Sequence, residues 1–215
     1  MKRLIFIFLA LVMAVSCVSC KSEVKGGEPI TEVDWERMKT GNFDNFTGER
    51  RQNNSLYGET VVSFWQDGKQ WRNRMVQNGQ LISQSGQFMI NGELVYCIYN
   101  TSTHKWEKQA ENKDPYAYPF KGMSYNFSLF TYNEEKGVYV YTQTNLDPGF
   151  TEEQISAGEA DLIFRFVDGK CVYSKNPKVL QHVGTVDIVE VEMSNYGTTV
   201  VPVPSLDDIV DASAK

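Results

Sequence analysis

Three two-residue turn signals constrain this chain more than any other feature. Asp67-Gly68, Asn78-Gly79 and Asn91-Gly92 fall 11 and 13 residues apart, each between apolar or alternating runs. Asp-Gly and Asn-Gly accept the positive-φ pair of a type I′ turn, whose twist matches that of two antiparallel strands. The intervening runs, YGETVVSFWQ from Tyr57, KQWRNRMVQ, QLISQSGQFMI, ELVYCIYN and HKWEKQ, are therefore expected to form an antiparallel meander. A further Asp-Gly, at Asp168-Gly169, links ADLIFRFV to KCVYS, and TVDIVEVEM follows as another strand. Gly137 to Thr144 (GVYVYTQT) has the same character.

Helical signals are few. Thr31 stands as an N-cap before acids in a first turn, Val33, Trp35 and Met38 supply apolar contacts, and Gly41 ends the segment. Thr151 is placed to cap a second short helix over Phe150 to Ala157. Met123 to Tyr132 suits either a strand or an amphipathic helix. Residues 110–122, with two prolines and several charges, form a long loop of the kind that makes lids and rims. The ending NYGTTVVPVP reads as a strand closed by prolines. The expected organisation is a leader over 1–20, a flexible tether over 21–31, one β domain over 32–204 and a tail over 205–215.

The leader has chemistry of its own. Lys2 and Arg3 precede 12 apolar residues, Leu4 to Val15, and small residues lead into Cys17 and Cys20. Twelve is too short for a membrane-spanning helix, which needs about 20 residues, so the segment reads as a cleaved secretory signal. Small and apolar residues before a cysteine resemble the lipobox of bacterial lipoproteins, in which the cysteine thiol receives a lipid. Ala14-Val15-Ser16-Cys17 and Cys17-Val18-Ser19-Cys20 are the two candidate registers. Two or more acyl chains, palmitate for example, would anchor the protein stably on a membrane, where one chain is marginal. The expected location is the bacterial outer membrane, facing either the periplasm or the cell surface. Removing residues 1–16 takes the net charge from -6 to -8, which lacks the basic footprint of a nucleic-acid binder.

The run Val61 to Lys108, with its Lys/Arg-rich aromatic strand and "INGELVYCIYNTSTHKW", resembles the LolA/LolB lipoprotein carriers and the LppX/LprG group of lipid-binding lipoproteins. Met193 to Pro204 (MSNYGTTVVPVP) is similar to the ending of the same superfamily. The resemblance implies a mainly β (α+β) fold: a curved antiparallel half-barrel with a few short helices on its concave side. It also implies an apolar cavity for a lipid or an acylated protein. This chain departs from the carriers in having only a short N-terminal helix.

Aromatic residues are the distributed candidates for such a cavity: Phe64, Trp71, Tyr96, Tyr99, Trp106, Tyr116, Tyr118, Phe120, Phe127 and Phe130. Tyr116, Tyr118 and Phe120, in the proline-rich loop, would form a lip at its mouth. Trp65, Trp71 and Trp106 would alternatively stack sugar rings. No enzyme is expected, since His104 and His182 are not spaced as a metal pair and no nucleophile–base motif is present. Glu134-Glu135 and Asp207-Asp208 read as solvated charges, and Cys97 and Cys171 as buried thiols in preference to a disulfide. No cofactor is called for. The expected function is a membrane-anchored lipoprotein binding a hydrophobic ligand. The rival is a structural or interaction lipoprotein of the envelope, holding a protein partner without a cavity.

Overall fold

The computed structural model describes residues 26–41, 43–54, 56–114, 118–143, 149–180 and 185–211; Cys17, Cys20, Tyr116 and His182 lie outside the described residues. Among the described residues twelve strands form a single open sheet. They are β1 (Asn45–Asn54), β2 (Gly58–Asp67), β3 (Gln70–Gln77), β4 (Gln80–Ile90), β5 (Glu93–Asn100), β6 (Lys105–Lys108), β7 (Thr131–Asn133), β8 (Val138–Thr142), β9 (Asp161–Val167), β10 (Lys170–Leu180), β11 (Thr185–Ser194) and β12 (Ile209–Asp211). Their order is β12-β6-β5-β4-β3-β2-β1-β11-β10-β9-β8-β7. All neighbours are antiparallel except β12, which joins β6 in parallel. Strand twist and two bulges, at Met75/Val76 and Cys171/Tyr173, bend this sheet into the expected mainly β half-barrel.

The turns explain the meander. Asn78-Gly79, Asn91-Gly92 and Asp168-Gly169 each have positive φ at both residues, as a type I′ turn requires. The first turn differs. Asp67 pairs with Gln70, so the loop is Gly68-Lys69, and only Gly68 has positive φ, which is the type II′ pattern. The dipeptide was in the right place, but the register sits one residue later.

Among the described residues the α-helices are α1 (Glu32–Thr40) and α2 (Glu152–Ser156). Each begins with a capping box, Thr31 with Asp34 and Thr151 with Gln154. Met123 to Tyr132 is neither strand nor α-helix throughout: a 3₁₀ turn at Phe127–Leu129 precedes the short β7.

Two expectations need correction. Residues 27–30 are docked instead of forming a flexible tether. The Glu28 amide donates to the Phe166 carbonyl at 2.9 Å, the Tyr132 hydroxyl donates to the Gly27 carbonyl at 2.7 Å, and the Ile30 amide donates to the Tyr139 hydroxyl at 2.8 Å. Gly27 passes so close to Gly137 that a Cβ would lie 2.1 Å from its carbonyl oxygen. At the other end, Thr199 to Ser205 forms no ladder, and the expected tail returns to the sheet as β12. Proline at 202 and 204 removes two ladder donors, which explains the missing strand.

Two hydrophobic clusters lie on opposite faces of the sheet. The larger covers β1, β2 and β8–β11 on the concave side, where α1 and the segment 118–130 pack. Trp35 is fully buried there against the rings of Phe127, Phe130, Phe164 and Phe166. The smaller, around Phe88, Cys97, Trp106 and Val201, occupies the outer face of β4–β6 under the C-terminal segment. Cys97 and Cys171 are buried free thiols in these separate clusters.

Candidate functional site

One cross-strand row builds the floor of a cavity on the concave face. Phe164 pairs with Ser174, Ser174 with Val191, and Val191 with Arg50, taking the row across β9, β10, β11 and β1. Directly paired residues share a face, so these four side chains point to the same side. Val189 and Asn176 form the next row outward, and Phe64 lies on the inner side. Phe64 crosses a gap that only glycine allows, since a Cβ at Gly48 would lie 2.2 Å from its ring.

The roof is the loop Pro119–Met123 together with Tyr125. It is held by α1: the Gly122 amide donates to the Lys39 carbonyl at 2.9 Å, and the Trp35 indole donates to the Tyr125 carbonyl at 3.0 Å. The space between floor and roof, partly open to solvent, is about 320 Å³. Phe64, Phe120, Met123, Phe164, Val189 and Val191 make most of its wall apolar, and Arg50, Ser174 and Asn176 give one side polarity. The Arg50 guanidinium donates to the Gln52 side-chain carbonyl at 3.1 Å, and the Gln52 amide donates to Asp187 at 2.8 Å. Burial pushes the Tyr125 phenol up from its ordinary value, partly offset by a hydrogen bond from Asn176. It therefore stays protonated, and neutral, at physiological pH.

A second concavity, of about 380 Å³, lies on the outer face. Thr47, Glu49, Ser63, Trp65, Arg165, Tyr173, Glu192 and Ser194 are among its lining, and every lining residue belongs to or adjoins the sheet itself. It is a groove in the sheet surface with no roofing element. The two are similarly open and similarly apolar; we place the candidate site at the smaller one, because the Pro119–Met123 loop covers it and brings residues from outside the sheet to face the sheet's apolar and polar groups.

The aromatic residues expected to line a cavity divide between several places. Phe64 and Phe120 line this one. Tyr118, expected at the mouth, is buried between Phe43, Phe46 and Phe120, its hydroxyl 3.0 Å from that of Tyr196. Burial drives both phenols strongly up, so they pair as neutral hydroxyls. Phe127 and Phe130 pack on Trp35. Trp71 and Tyr96 meet on the concave face of β3 and β5, with the Trp71 indole donating to the Lys113 carbonyl at 3.3 Å. Tyr99 and Trp106 stack on the outer face, so the three tryptophans proposed as a sugar platform do not converge: Trp65 and Trp106 flank Arg72 on one face and Trp71 lies on the other.

Tyr125, one of the aromatic residues the sequence offers, does line the cavity, whereas sequence reasoning missed Arg50, Met123, Phe164, Ser174, Asn176, Val189 and Val191. The alternation in ADLIFRFV could have marked Phe164, but Arg50 lies in GERRQNN, which looks like an exposed polar run. Asp208, read as a solvated charge, is exposed and also pairs with Lys105 at 2.9 Å. Among the described residues no group of three or more His, Cys, Asp or Glu could hold a metal, and no helix is long and apolar enough to cross a membrane. No family model and no curated protein matches this chain.

Proposed function

We propose that this protein is a lipid-anchored bacterial envelope lipoprotein that holds an apolar ligand, a lipid or acyl chain, in the roofed cavity of a LolA-like half-barrel. The observation that carries the reading is the cavity itself: six apolar side chains from sheet and loop face one another across about 320 Å³, beside the cations Arg50 and Lys121. That volume is at the low end for ligand pockets, which start at about 300 Å³, and suits one chain better than several. Burying alkyl surface there contributes about 25 cal/mol per Å². The lipobox at Cys17 or Cys20 would supply the anchor, and an outer-membrane location follows from that reading. No catalytic group is needed for such a role.

Native mass spectrometry of the full chain, stripped of copurified lipid and titrated with single-chain amphiphiles, tests this. One bound molecule per chain is expected, with competition by bulk introduced into the cavity through Val191→Phe. A chain that stays empty at every concentration would end the carrier reading.

One observation favours the rival, an interaction lipoprotein with a protein partner. The protein's own Trp35, Tyr118, Phe127 and Phe130 fill most of the concave face, leaving less free hollow than a carrier with an empty barrel. Crosslinking in intact envelopes, followed by purification, would recover a stoichiometric protein partner under that reading.

A further inference from the structure

We propose that the cavity takes the head group of an anionic amphiphile, a carboxylate or a phosphate, between Arg50 of its floor and Lys121 of its roof. The inference rests on the cavity reading above and names the charge of the ligand.

The charges around the cavity are one-sided. Among the described residues that line it, Arg50 and Lys121 are the charged ones; both are cations, and none is an acid. The chain as a whole tilts the other way, with 21 basic residues against 27 acidic ones. The two cations also come from different elements. Arg50 lies on β1 in the floor row with Val191 and Ser174, whereas Lys121 belongs to the Pro119–Met123 loop and is exposed at the cavity's rim. Arg50 is half-buried, and its hydrogen-bond partner among the described residues is the neutral Gln52 side chain. No carboxylate among the described residues lies within ion-pair distance of it. A guanidinium has five N–H donors, so most of them are left for a ligand.

The two side chains suit an oxyanion. The planar guanidinium fork matches a carboxylate or phosphate with two parallel N–H bonds, and an ammonium adds a point charge from the other wall. With its alkyl chain against Phe64, Phe164 and Val189, an amphiphile would present its head to both. A monoacylglycerol would bury the same chain but leave both cations without a counter-charge. A quaternary ammonium would meet repulsion from each. A phosphocholine head would bring its own cation to a site that already holds two. One further group ranks the anions. Asn176 Oδ1 is buried in the same wall without a hydrogen-bond partner among the described residues, while the Asn176 amide is engaged by Tyr125. The glycerol hydroxyl of a lysophosphatidate would donate to that oxygen, whereas an ionised fatty acid has no O–H to give.

The test is calorimetric titration of the full chain, stripped of lipid, at neutral pH and below micelle-forming concentrations. The probes are myristate, lysophosphatidate, lysophosphatidylcholine, a monoacylglycerol and tetradecyltrimethylammonium, all of one chain length, with inorganic phosphate as the probe that has no chain. Both anionic amphiphiles are expected to bind at least tenfold more tightly than lysophosphatidylcholine and the monoacylglycerol, with lysophosphatidate first, the ammonium last and inorganic phosphate weak. Arg50→Gln and Lys121→Gln should each reduce that preference below threefold; the exposed Lys121 keeps the test open even if Arg50→Gln folds poorly. Deuterium exchange across 119–123 should slow more with the anions than with the monoacylglycerol, because one head group then ties roof to floor; equal slowing would overturn the two-sided hold. Myristate binding more tightly than lysophosphatidate would overturn the role of Asn176 and keep the anion assignment. Equal binding of all the amphiphiles, or a preference that survives both substitutions, would overturn the charge assignment and leave the cavity reading intact. Tight binding of inorganic phosphate with no binding of any amphiphile would keep the two cations and overturn the cavity reading. No binding by any probe would overturn both.

Discussion

The same sheet is covered in two different ways, and the difference locates the hollow. On the concave side of β1, β2 and β8–β11, the cover is a helix and a loop, α1 and 118–130, joined to each other by the Gly122–Lys39 and Trp35–Tyr125 hydrogen bonds. On the outer side of β4–β6, it is a single extended strap that ends by pairing as β12. A strap one chain thick settles directly into the groove between side chains. Val201 and Ile209 reach the cluster, and Arg72 lies across Trp106 with its guanidinium donating to the Pro202 carbonyl at 3.1 Å. Burial lowers the pKa of Arg72, and its neighbour Arg74 adds to that, yet it remains a cation far above neutral pH. A helix stands farther off, because its side chains need room on both sides of the interface. Large rings fill most of that depth, and the part beyond Trp35 stays open beneath Pro119–Met123.

The largest way to break this comparison is to remove the ring that supports the roof. Trp35 is 0% exposed, and four aromatic rings meet it. Trp35→Ala should cost about 3–5 kcal/mol by chemical denaturation, the range for emptying a buried large aromatic. It should also abolish ligand uptake, because the Tyr125 carbonyl loses its donor. Trp106→Ala in the strap-covered cluster is expected near the lower end of that range, about 3 kcal/mol, with ligand uptake retained. Loss of uptake in Trp106→Ala at unchanged Trp35→Ala stability would contradict the separation of the two regions.

Gly48→Ala comes next. Its Cβ would lie 2.2 Å from the Phe64 ring and 2.7 Å from the Met193 sulfur, so Phe64 must swing toward the cavity. Overpacking of this kind costs about 1–3 kcal/mol. Here it should also weaken binding of the bulkiest amphiphile more than the smallest, a graded loss that calorimetry with a chain-length series would read. Equal weakening across the series would mean that the ring moves elsewhere.

How much of this was legible beforehand follows from distance along the chain. Turn chemistry is local, so Asn78-Gly79, Asn91-Gly92 and Asp168-Gly169 announced their hairpins, and Thr31 and Thr151 announced their helices. The choice of covered face is not local. β1 finds β11 some 140 residues away in sequence, as in Gly48 with Met193, and only that pairing brings Arg50 beside Val191. Alternation along GERRQNN therefore could not show which of its charges faces the cavity. Tyr118 and Phe120 look alike in a proline-rich loop and both are buried in the core, yet only Phe120 reaches the cavity, because the Tyr118 hydroxyl is held by that of Tyr196, which in turn donates to the Cys171 carbonyl at 2.6 Å.

The two cysteines sharpen the comparison through dynamics. Both are 0% exposed, and burial raises both thiol pKa values. Cys97 lies in the strap-covered cluster, on the second strand in from the β6–β12 edge, whereas Cys171 lies in the helix-covered one. Truncation after Ser205 removes Ile209 and the paired β12 at an expected cost of about 1–2 kcal/mol, less than full burial of an isoleucine would give because Ile209 is only half-buried. Thiol labelling of Cys97 should then accelerate about tenfold while that of Cys171 stays slow, since local opening follows the element that is lost. Equal acceleration at both positions would show one cooperative unit in place of two differently covered halves.

The smallest effect concerns what holds the strap's end. Lys108 pairs with Asp211 at 3.1 Å and Lys105 with Asp208 at 2.9 Å, all four side chains well exposed to solvent. Exposed pairs contribute about 0.2–1 kcal/mol and are screened by salt. Asp211→Asn should therefore lower stability by no more than about 0.5 kcal/mol at low salt, with the difference vanishing near 1 M salt, where the screening length is about 3 Å. Backbone hydrogen bonding to β6 and the burial of Ile209 remain, so Cys97 labelling should barely change in this variant. A large acceleration would mean that charge, and not the apolar contact of Ile209 with the cluster, keeps the thin cover closed.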